Sequence, residues 1–532
     1  MKKRGIALIM LAGLLLSVPA GYDCNHFAKW LFATAFVHSM AWSMAILWLI
    51  HRSKSLMAGF FTLIYLLFFL ETACYLLVGS RINETVMTIA MQTNLQEAGE
   101  FAGTYLISWQ NLVILIVGGA LFPVLMRWVM TTKLDGLFKS FVHRAIATVV
   151  ILAGFIFPFI PLTWTSHGYN TVAGLYHSMQ FVEESHSDID RIIMQMDSIR
   201  MVRQPEKTEA PVIVLVIGES FNKYHSPLYG YGLPTTPRLC AEKRLVAFDH
   251  AYSPVCFTHS AMRYIFSLKS CDNHQADDPL QYVLFPAIFK QAGYQVGYFD
   301  NQFTQLKVEF RDFTCGYFMS PPRISNRCFD VRNDFITPYD GTFIERCQNM
   351  FLKEKKSLNI IHLYGQHLDA KSRYPETFTY FKGADIPRED LNEEERQKVA
   401  EYDNAMRYND MVLGMILDAF RQQDAVLVYL SDHGDNIYDG PGHRYGRLAG
   451  GLTDEESKRN IREIPLMVWC SERFVTKRPV VYKHIQQQAH QTVCLDDVAH
   501  LLFDLGGITC NYSEPSRSVL NTGYHPHQIA IE

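Results

Sequence analysis

Five apolar stretches crowd the first 166 residues of this chain, at Gly5 to Tyr22, Trp30 to Ile50, Leu56 to Val78, Leu106 to Met130 and Ala145 to Trp164. Each approaches the ~20 residues a helix needs to cross a bilayer, where only helices and closed barrels satisfy their own backbone. They predict five membrane helices. The first reads as an uncleaved span: Lys2, Lys3 and Arg4 precede it as in a signal peptide, but Ser17-Val-Pro-Ala is a weak cleavage signal and more spans follow.

Charge placement orients the spans. Lys2, Lys3, Arg4, Arg52, Lys54, Arg127, Lys133, Lys139 and Arg144 fall on one side, whereas the opposite loops carry only Lys29 and Arg81, together with Glu84, Glu97 and Glu100. The basic side is cytoplasmic, so everything after the fifth span lies outside the cytoplasm. The expected division is a membrane domain over residues 1–165, a bridging helix and linker over 166–210, and an exported domain over 211–532. A hydrophobic content of 48% with mean hydropathy near zero fits a greasy third averaged with an ordinary soluble remainder. That remainder is long enough to bury one large α/β core. A net charge of -4 and the lack of a basic stripe argue against a nucleic-acid partner.

Within the linker, Ile189, Ile192, Ile193, Met196, Ile199 and Met201 recur at helical spacing. This amphipathic helix would lie along the membrane surface or in the shell of the exported domain. Nine of the eleven cysteines lie beyond the last span, where an oxidising compartment permits disulfides. Cys315 and Cys328, close in sequence, are the expected bridge.

The exported part alternates strand and helix. Pro211-Val-Ile-Val-Leu-Val-Ile-Gly-Glu219-Ser220 and Ala425-Val-Leu-Val-Tyr-Leu-Ser-Asp432-His433 are continuous apolar runs, as expected of central strands covered on both faces. Further strands are expected at Tyr294 to Gln302, Leu358 to His367 and Ile464 to Cys470, separated by helices at Leu280 to Ala292, Glu393 to Gln422 and Leu495 to Leu505. The predicted fold is therefore α/β, with a mostly parallel sheet covered by helices on both faces. In such sheets ligands bind beyond the carboxyl ends of the strands. Glu219, Asp432 and His433 could converge there, and two carboxylates with an imidazole make a good zinc half-site. His362, inside its strand, reads as a packed structural group, while His367 and His443 follow strand ends in loops where they could overlook the site.

These segments resemble the membrane-bound phosphoethanolamine transferases, which modify lipid A or its core sugars and belong to the alkaline phosphatase and sulfatase superfamily. The resemblance rests on Val-Ile-Gly-Glu219-Ser, Tyr229-Gly-Tyr231-Gly-Leu-Pro-Thr-Thr236-Pro-Arg, Asp300-Asn301-Gln302, His362-Leu-Tyr-Gly-Gln-His367, Tyr402-Asp403-Asn404, Tyr408-Asn-Asp410 and Ser431-Asp432-His433-Gly-Asp435, in family order. It implies a sulfatase-like catalytic domain with zinc held by Glu219, Asp432, His433 and a nucleophilic threonine. Thr258, eight positions before a Phe-Ser pair, matches that nucleophile, with Ser260 as its rival. The resemblance further implies contacts from His367 and His443 to the phosphoryl group or a second zinc, and substrate binding by Asn301 and, in the outer loop, Thr93 and Glu97. Two departures stand out: Tyr264 replaces the second cysteine of the disulfide that brackets the nucleophile in relatives, and Asp435 replaces a glutamate.

The implied activity moves phosphoethanolamine from phosphatidylethanolamine to a lipid A phosphate or core sugar through a covalent threonine intermediate, at the periplasmic face of a bacterial inner membrane. Alternatives are a phosphoglycerol transferase of the lipoteichoic-acid-synthase type, transfer to a periplasmic glucan, or a receptor that kept the fold. A sulfatase would need a Cys/Ser-x-Pro-x-Arg context, which Cys256-Phe-Thr-His-Ser lacks.

Overall fold

The structure, a computed structural model, describes residues 2–21, 28–78, 82, 109–132, 134, 148–149, 188–302 apart from 208, 274, 276 and 277, 322–440 apart from 368, 444–446 and 454–527. The chain divides into two compact units, one built mainly from residues 1–185 and the other from residues 186–447 and 452–532.

In the first unit, four of the five apolar stretches form helices: α1 (Lys2–Ser17), α2 (Ala28–Ile50), α3 (Lys54–Val78) and α4 (Trp109–Thr131). The fifth stretch falls almost wholly outside the described residues. Leu8, Leu47, Met57, Phe61 and Val129 pack into one core, and Tyr65 on α3 donates a hydrogen bond to the Gly118 carbonyl of α4 at 2.5 Å. The outward faces are also apolar: Leu56, Leu63, Leu66 and Leu70 on α3 and Ile116, Leu121 and Val124 on α4 are exposed. By length and composition, one helix among the described residues, Lys54–Tyr75, qualifies as a membrane span.

The second unit contains α5 (Asp188–Asp197), β1 (Met201–Arg203), β2 (Val212–Gly218), β3 (Leu245–Phe248), β4 (His250–Tyr252), α6 (Thr258–Phe266), β5 (Gln295–Asp300), β6 (Val331–Arg332), α7 (Asp340–Cys347), β7 (Ser357–His362), α8 (Glu393–Phe420), β8 (Ala425–Ser431), β9 (Leu466–Cys470), β10 (Thr492–Cys494), α9 (Val498–Gly506) and β11 (Thr509–Cys510). Seven strands form one mixed sheet in the order β3-β9-β8-β2-β7-β5-β6. Only β9 runs against its neighbours; the other strands are parallel.

Alternation along β2 explains its unbroken apolar run. Ile213, Leu215 and Ile217 enter the core on one face of the sheet, and Val212, Val214 and Val216 enter the core on the other. Full burial of each such side chain contributes about 1.5–3 kcal/mol, so two-sided burial fixes both the strand and its register. The long helix α8 covers one face. Its start is set by a capping box in which Asn392 accepts from the Glu395 amide at 3.0 Å and Glu395 accepts from the Asn392 amide at 2.9 Å.

Two sequence expectations change in detail, and one that stood open is decided. The helix expected over Leu280 to Ala292 is a 3-10 turn, Pro279–Tyr282, followed by a helix at Phe285–Gln291. Pro286 has no amide hydrogen to continue an earlier helix but suits the first turn of a new one. The last expected helix likewise opens as a 3-10 turn, Leu495–Asp497, and α9 stops where Gly507 adopts a left-handed φ of 64°. The amphipathic segment is α5, and Ile192, Met196 and Ile199 are buried in the core of the second unit. It belongs to that unit's shell, tied further by β1 pairing with β11. Cys315 lies outside the described residues.

Candidate metal centre

β2 and β8 run parallel and in register to their last residues, with Gly218 opposite Ser431. Glu219 and Asp432 therefore leave the sheet side by side. Both, with His433, are fully buried, and their ligand atoms lie within 4.8 Å of one another. Glycine after Asp-His is needed because a Cβ at Gly434 would lie 2.0 Å from the Asn460 carbonyl oxygen.

Thr258 is the first residue of α6, which places its hydroxyl and the helix's unpaired amides at one end. Its Oγ1 donates to Glu219 Oε2 at 2.9 Å and lies 3.4 Å from His433 Nε2. His433 Nδ1 is 2.7 Å from the Gly434 carbonyl, which assigns the ring hydrogen to Nδ1 and a lone pair to Nε2. That lone pair faces Asp432 Oδ2 at 3.0 Å and Glu219 Oε1 at 3.3 Å. Asp432 Oδ2 receives no hydrogen bond among the described residues. Buried acceptors facing one another repel unless a cation lies between them. Two carboxylates, a neutral imidazole nitrogen and a hydroxyl fit zinc as a donor set.

Surrounding groups hold these four in place. Ser220, at a left-handed φ of 56°, donates its amide to Asp432 Oδ1 at 3.2 Å and its hydroxyl to Glu219 Oε1 at 2.7 Å. Tyr402 of α8 donates to the Ser220 carbonyl at 2.6 Å and accepts the Asn222 amide at 2.7 Å. Gln302, just past β5, donates to both Glu219 Oε2 (3.2 Å) and the Leu363 carbonyl (2.7 Å). Gln302→Ala should therefore weaken zinc binding about 10- to 100-fold by chelator competition, as outer partners of ligands typically do; unchanged affinity would remove this role.

The turn after β7 presses on the same point. The Gln366 amide donates to the Glu219 carbonyl at 3.0 Å, and Gly365, at a φ of 54°, leaves room where a Cβ would lie 2.7 Å from that oxygen. Asp340, first residue of α7, accepts the Tyr364 and Gly365 amides at 3.0 and 2.9 Å and so shapes the turn carrying His367. His367 stands edge-on to Tyr364. Asn301 is fully buried, donating to Asp340 at 2.8 Å and accepting the Thr337 amide at 2.8 Å, so its amide braces this turn. His362 is a buried partner of Asp300 at 3.0 Å. Thr93, Glu97 and His443 lie outside the described residues.

Behind the Ser220 loop, buried His225 lies 2.7 Å from Asp403 and 3.3 Å from Asp439. Burial pulls the imidazole down, but the Asp439 and Asp403 charges outweigh it and carry it up to about 10. Burial also pushes Asp439 up, yet His225 and Arg388 together hold its carboxyl below the usual range. Because the folded value exceeds the unfolded one of about 6.5, the stabilisation is complete below ~6.5 and lost as pH rises towards about 10. Denaturant unfolding between pH 7 and 10 should show stability falling in the wild type and a flatter profile in His225→Gln; parallel profiles would exclude the ion pair.

Sequence reasoning missed Gln302, Tyr402, Ser220 and Asp340 as supports. Gln302 and Tyr402 lay in quoted motifs without an assigned partner, and Asp340 carried no local signal.

The chain belongs to the sulfatase family, whose model matches residues 211–508. Relatives that match it over most of its length are named phosphoethanolamine transferases. It is 26% identical over 491 residues to phosphoethanolamine transferase EptC of Escherichia coli strain K12, covering 85% of this chain and 80% of that protein. It is 27% identical over 341 residues to the Kdo(2)-lipid A phosphoethanolamine 7''-transferase of Salmonella typhimurium, covering 62% of this chain and 56% of that one. Among solved structures, the zinc complex of the C-terminal periplasmic domain of E. coli EptC matches with a TM-score of 0.52 and 28% identity, over 62% of this chain and 90% of that domain. The integral membrane phosphoethanolamine transferase EptA of Neisseria meningitidis matches with a TM-score of 0.66 over 96% of this chain and 98% of its own; at 18% identity this shows a shared fold.

Proposed function

We propose that this chain transfers phosphoethanolamine from phosphatidylethanolamine to a lipopolysaccharide acceptor, a lipid A phosphate or core sugar, through a covalent intermediate on Thr258. The observation carrying the proposal is the convergence of Thr258 Oγ1 with Glu219, Asp432 and His433 at the end of the central strands. The names of the relatives supply the substrate class.

Glu219, Asp432, His433 and Thr258 would hold a zinc ion, which when bound supplies a positive charge that lowers the hydroxyl pKa and offsets phosphoryl charge. Glu219 Oε2 accepts the Thr258 hydrogen and so orients the oxygen for attack on phosphorus, with diacylglycerol leaving. The amides at the start of α6 suit phosphoryl oxygens. His367 or His443 is assigned to protonate the departing oxygen, and an acceptor then takes the phosphoethanolamine from Thr258. Thr93 and Glu97 are assigned to holding the lipid substrate, and Asn301 acts through the turn it braces.

The exposed apolar faces of α3 and α4 support membrane insertion, since contiguous apolar surface of this kind is costly in water. The proposed enzyme has five spans over residues 1–165, a linker over 166–210, and a catalytic domain over 211–532 on the periplasmic side of the inner membrane. Anchoring in the bilayer that carries both lipids raises their effective concentration. The test uses phosphatidylethanolamine labelled in its ethanolamine group, followed by peptide mapping of the trapped protein. The expected result is one added phosphoethanolamine on the Thr258 peptide; label elsewhere, or none with active acceptor transfer, would overturn the proposal.

A further inference from the structure

Cys271 and Cys494 are 223 positions apart in sequence, yet their sulfurs lie 3.7 Å apart. Both segments are held independently of the thiols. The Cys271 amide donates to Asp496 Oδ2 at 2.7 Å, while Arg517 donates to the Leu268 and Asp496 carbonyls at 2.8 and 2.7 Å and to Asp497 Oδ1 at 3.0 Å. These bonds hold the backbone beside each sulfur, and the 3.7 Å between the sulfurs must close to the ~2.0 Å of an S–S bond.

The position of the pair ties it to the nucleophile. Cys494 ends β10 and pairs in register with Tyr252, the last residue of β4, six residues before Thr258. Cys271 follows the end of α6 by five residues. A bond between them would close both ends of the Thr258-bearing segment onto one strand. We propose that Cys271 and Cys494 form a disulfide that clamps this segment.

The two thiols are unequal in a way that suits exchange. Hydrogen bonds from Cys494 and His527 draw the half-buried Cys271 thiol below its ordinary range, whereas burial pushes Cys494 well above it. Cys271, as thiolate, attacks a sulfur of an external protein or small-molecule disulfide and releases one thiol from that oxidant. Cys494, losing its proton, then attacks Cys271 Sγ and releases the second thiol. Two electrons and two protons thus pass from the pair to the oxidant, which leaves as two thiols.

A metal ion is the competing occupant, because Cys271, Cys494 and Asp496 form a possible ligand group. The surroundings argue against it. His527 also pairs with Asp272 and Asp497 at 2.5 and 2.9 Å, and Arg517 lies 3.2 Å from Asp496 Oδ2, so the local carboxylates already have cationic partners. The clamp stands whether or not the chain transfers phosphoethanolamine.

The test takes the full chain in detergent, equilibrated in oxidised glutathione, with free thiols alkylated before proteolysis and mass spectrometry. The expected product is a Cys271–Cys494 peptide pair, two hydrogens lighter than the dithiol and separated by dithiothreitol. Reduction should lower the unfolding midpoint of the wild type by about 5 °C and leave a Cys271→Ser, Cys494→Ser double variant unmoved. Alkylation of both cysteines after oxidation, pairing of either with another cysteine, or stoichiometric zinc lost in the double variant would each overturn the proposal. The wild-type peptide map decides the matter even if the double variant fails to fold.

Discussion

Thr258→Ala is expected to lower phosphoethanolamine transfer by at least ~10³-fold, because without the hydroxyl no oxygen is placed to attack phosphorus and the remaining groups act as a unit. The half-buried side chain opens α6 without capping it, so the unfolding midpoint should scarcely change. Thr258→Ser should keep a measurable fraction of the rate and still take the label, since the oxygen survives while the methyl that fixes its rotamer is lost. Ser260→Ala should remain active. The decisive measurement is product formed from head-group-labelled lipid over time: an active Thr258→Ala protein, or an inactive Ser260→Ala one with Thr258 intact, would move the nucleophile.

The second large effect concerns the buried carboxylates. Asp432→Asn should lower zinc affinity by at least ~10²-fold and abolish turnover, since an amide presents a weaker donor where charge is required. In the metal-free protein the same change should have the opposite sign for stability. Glu219 and Asp432 face each other in a fully buried site, and neutralising one relieves their repulsion. Zinc at 100 times its dissociation constant should stabilise the wild type by about 2.7 kcal/mol and leave the variant almost unmoved. Elemental analysis alongside thermal unfolding with and without chelator checks both signs. A variant that binds zinc normally, or is less stable than wild type without it, would remove Asp432 from the ligand set.

Much of this arrangement was legible along the chain because its causes are local. The apolar runs ending at Gly218 and Ser431 record burial on two faces of a parallel sheet, and that environment admits few polar residues. The carboxylates that follow are conspicuous because they interrupt those runs. The limits of helices were less legible wherever a proline or a short 3-10 turn intervened, as at Pro286, because periodicity alone does not register a break in hydrogen bonding. The fate of α5 was open for a different reason: an amphipathic stripe states that a face will be buried, not what will bury it.

The sequence by itself determined the strand runs, the charged residues at their ends and the succession of apolar segments, since each reflects the solvent demanded by a stretch of neighbouring residues. Only the tertiary structure decided that Gly218 and Ser431 share a register, that α6 delivers the Thr258 hydroxyl to Glu219, that Gln302 and Tyr402 brace the site, and that Cys271 meets Cys494. These contacts join residues tens to hundreds of positions apart. They depend on which strands become neighbours, and that choice is made by packing the whole core rather than by any one segment of it.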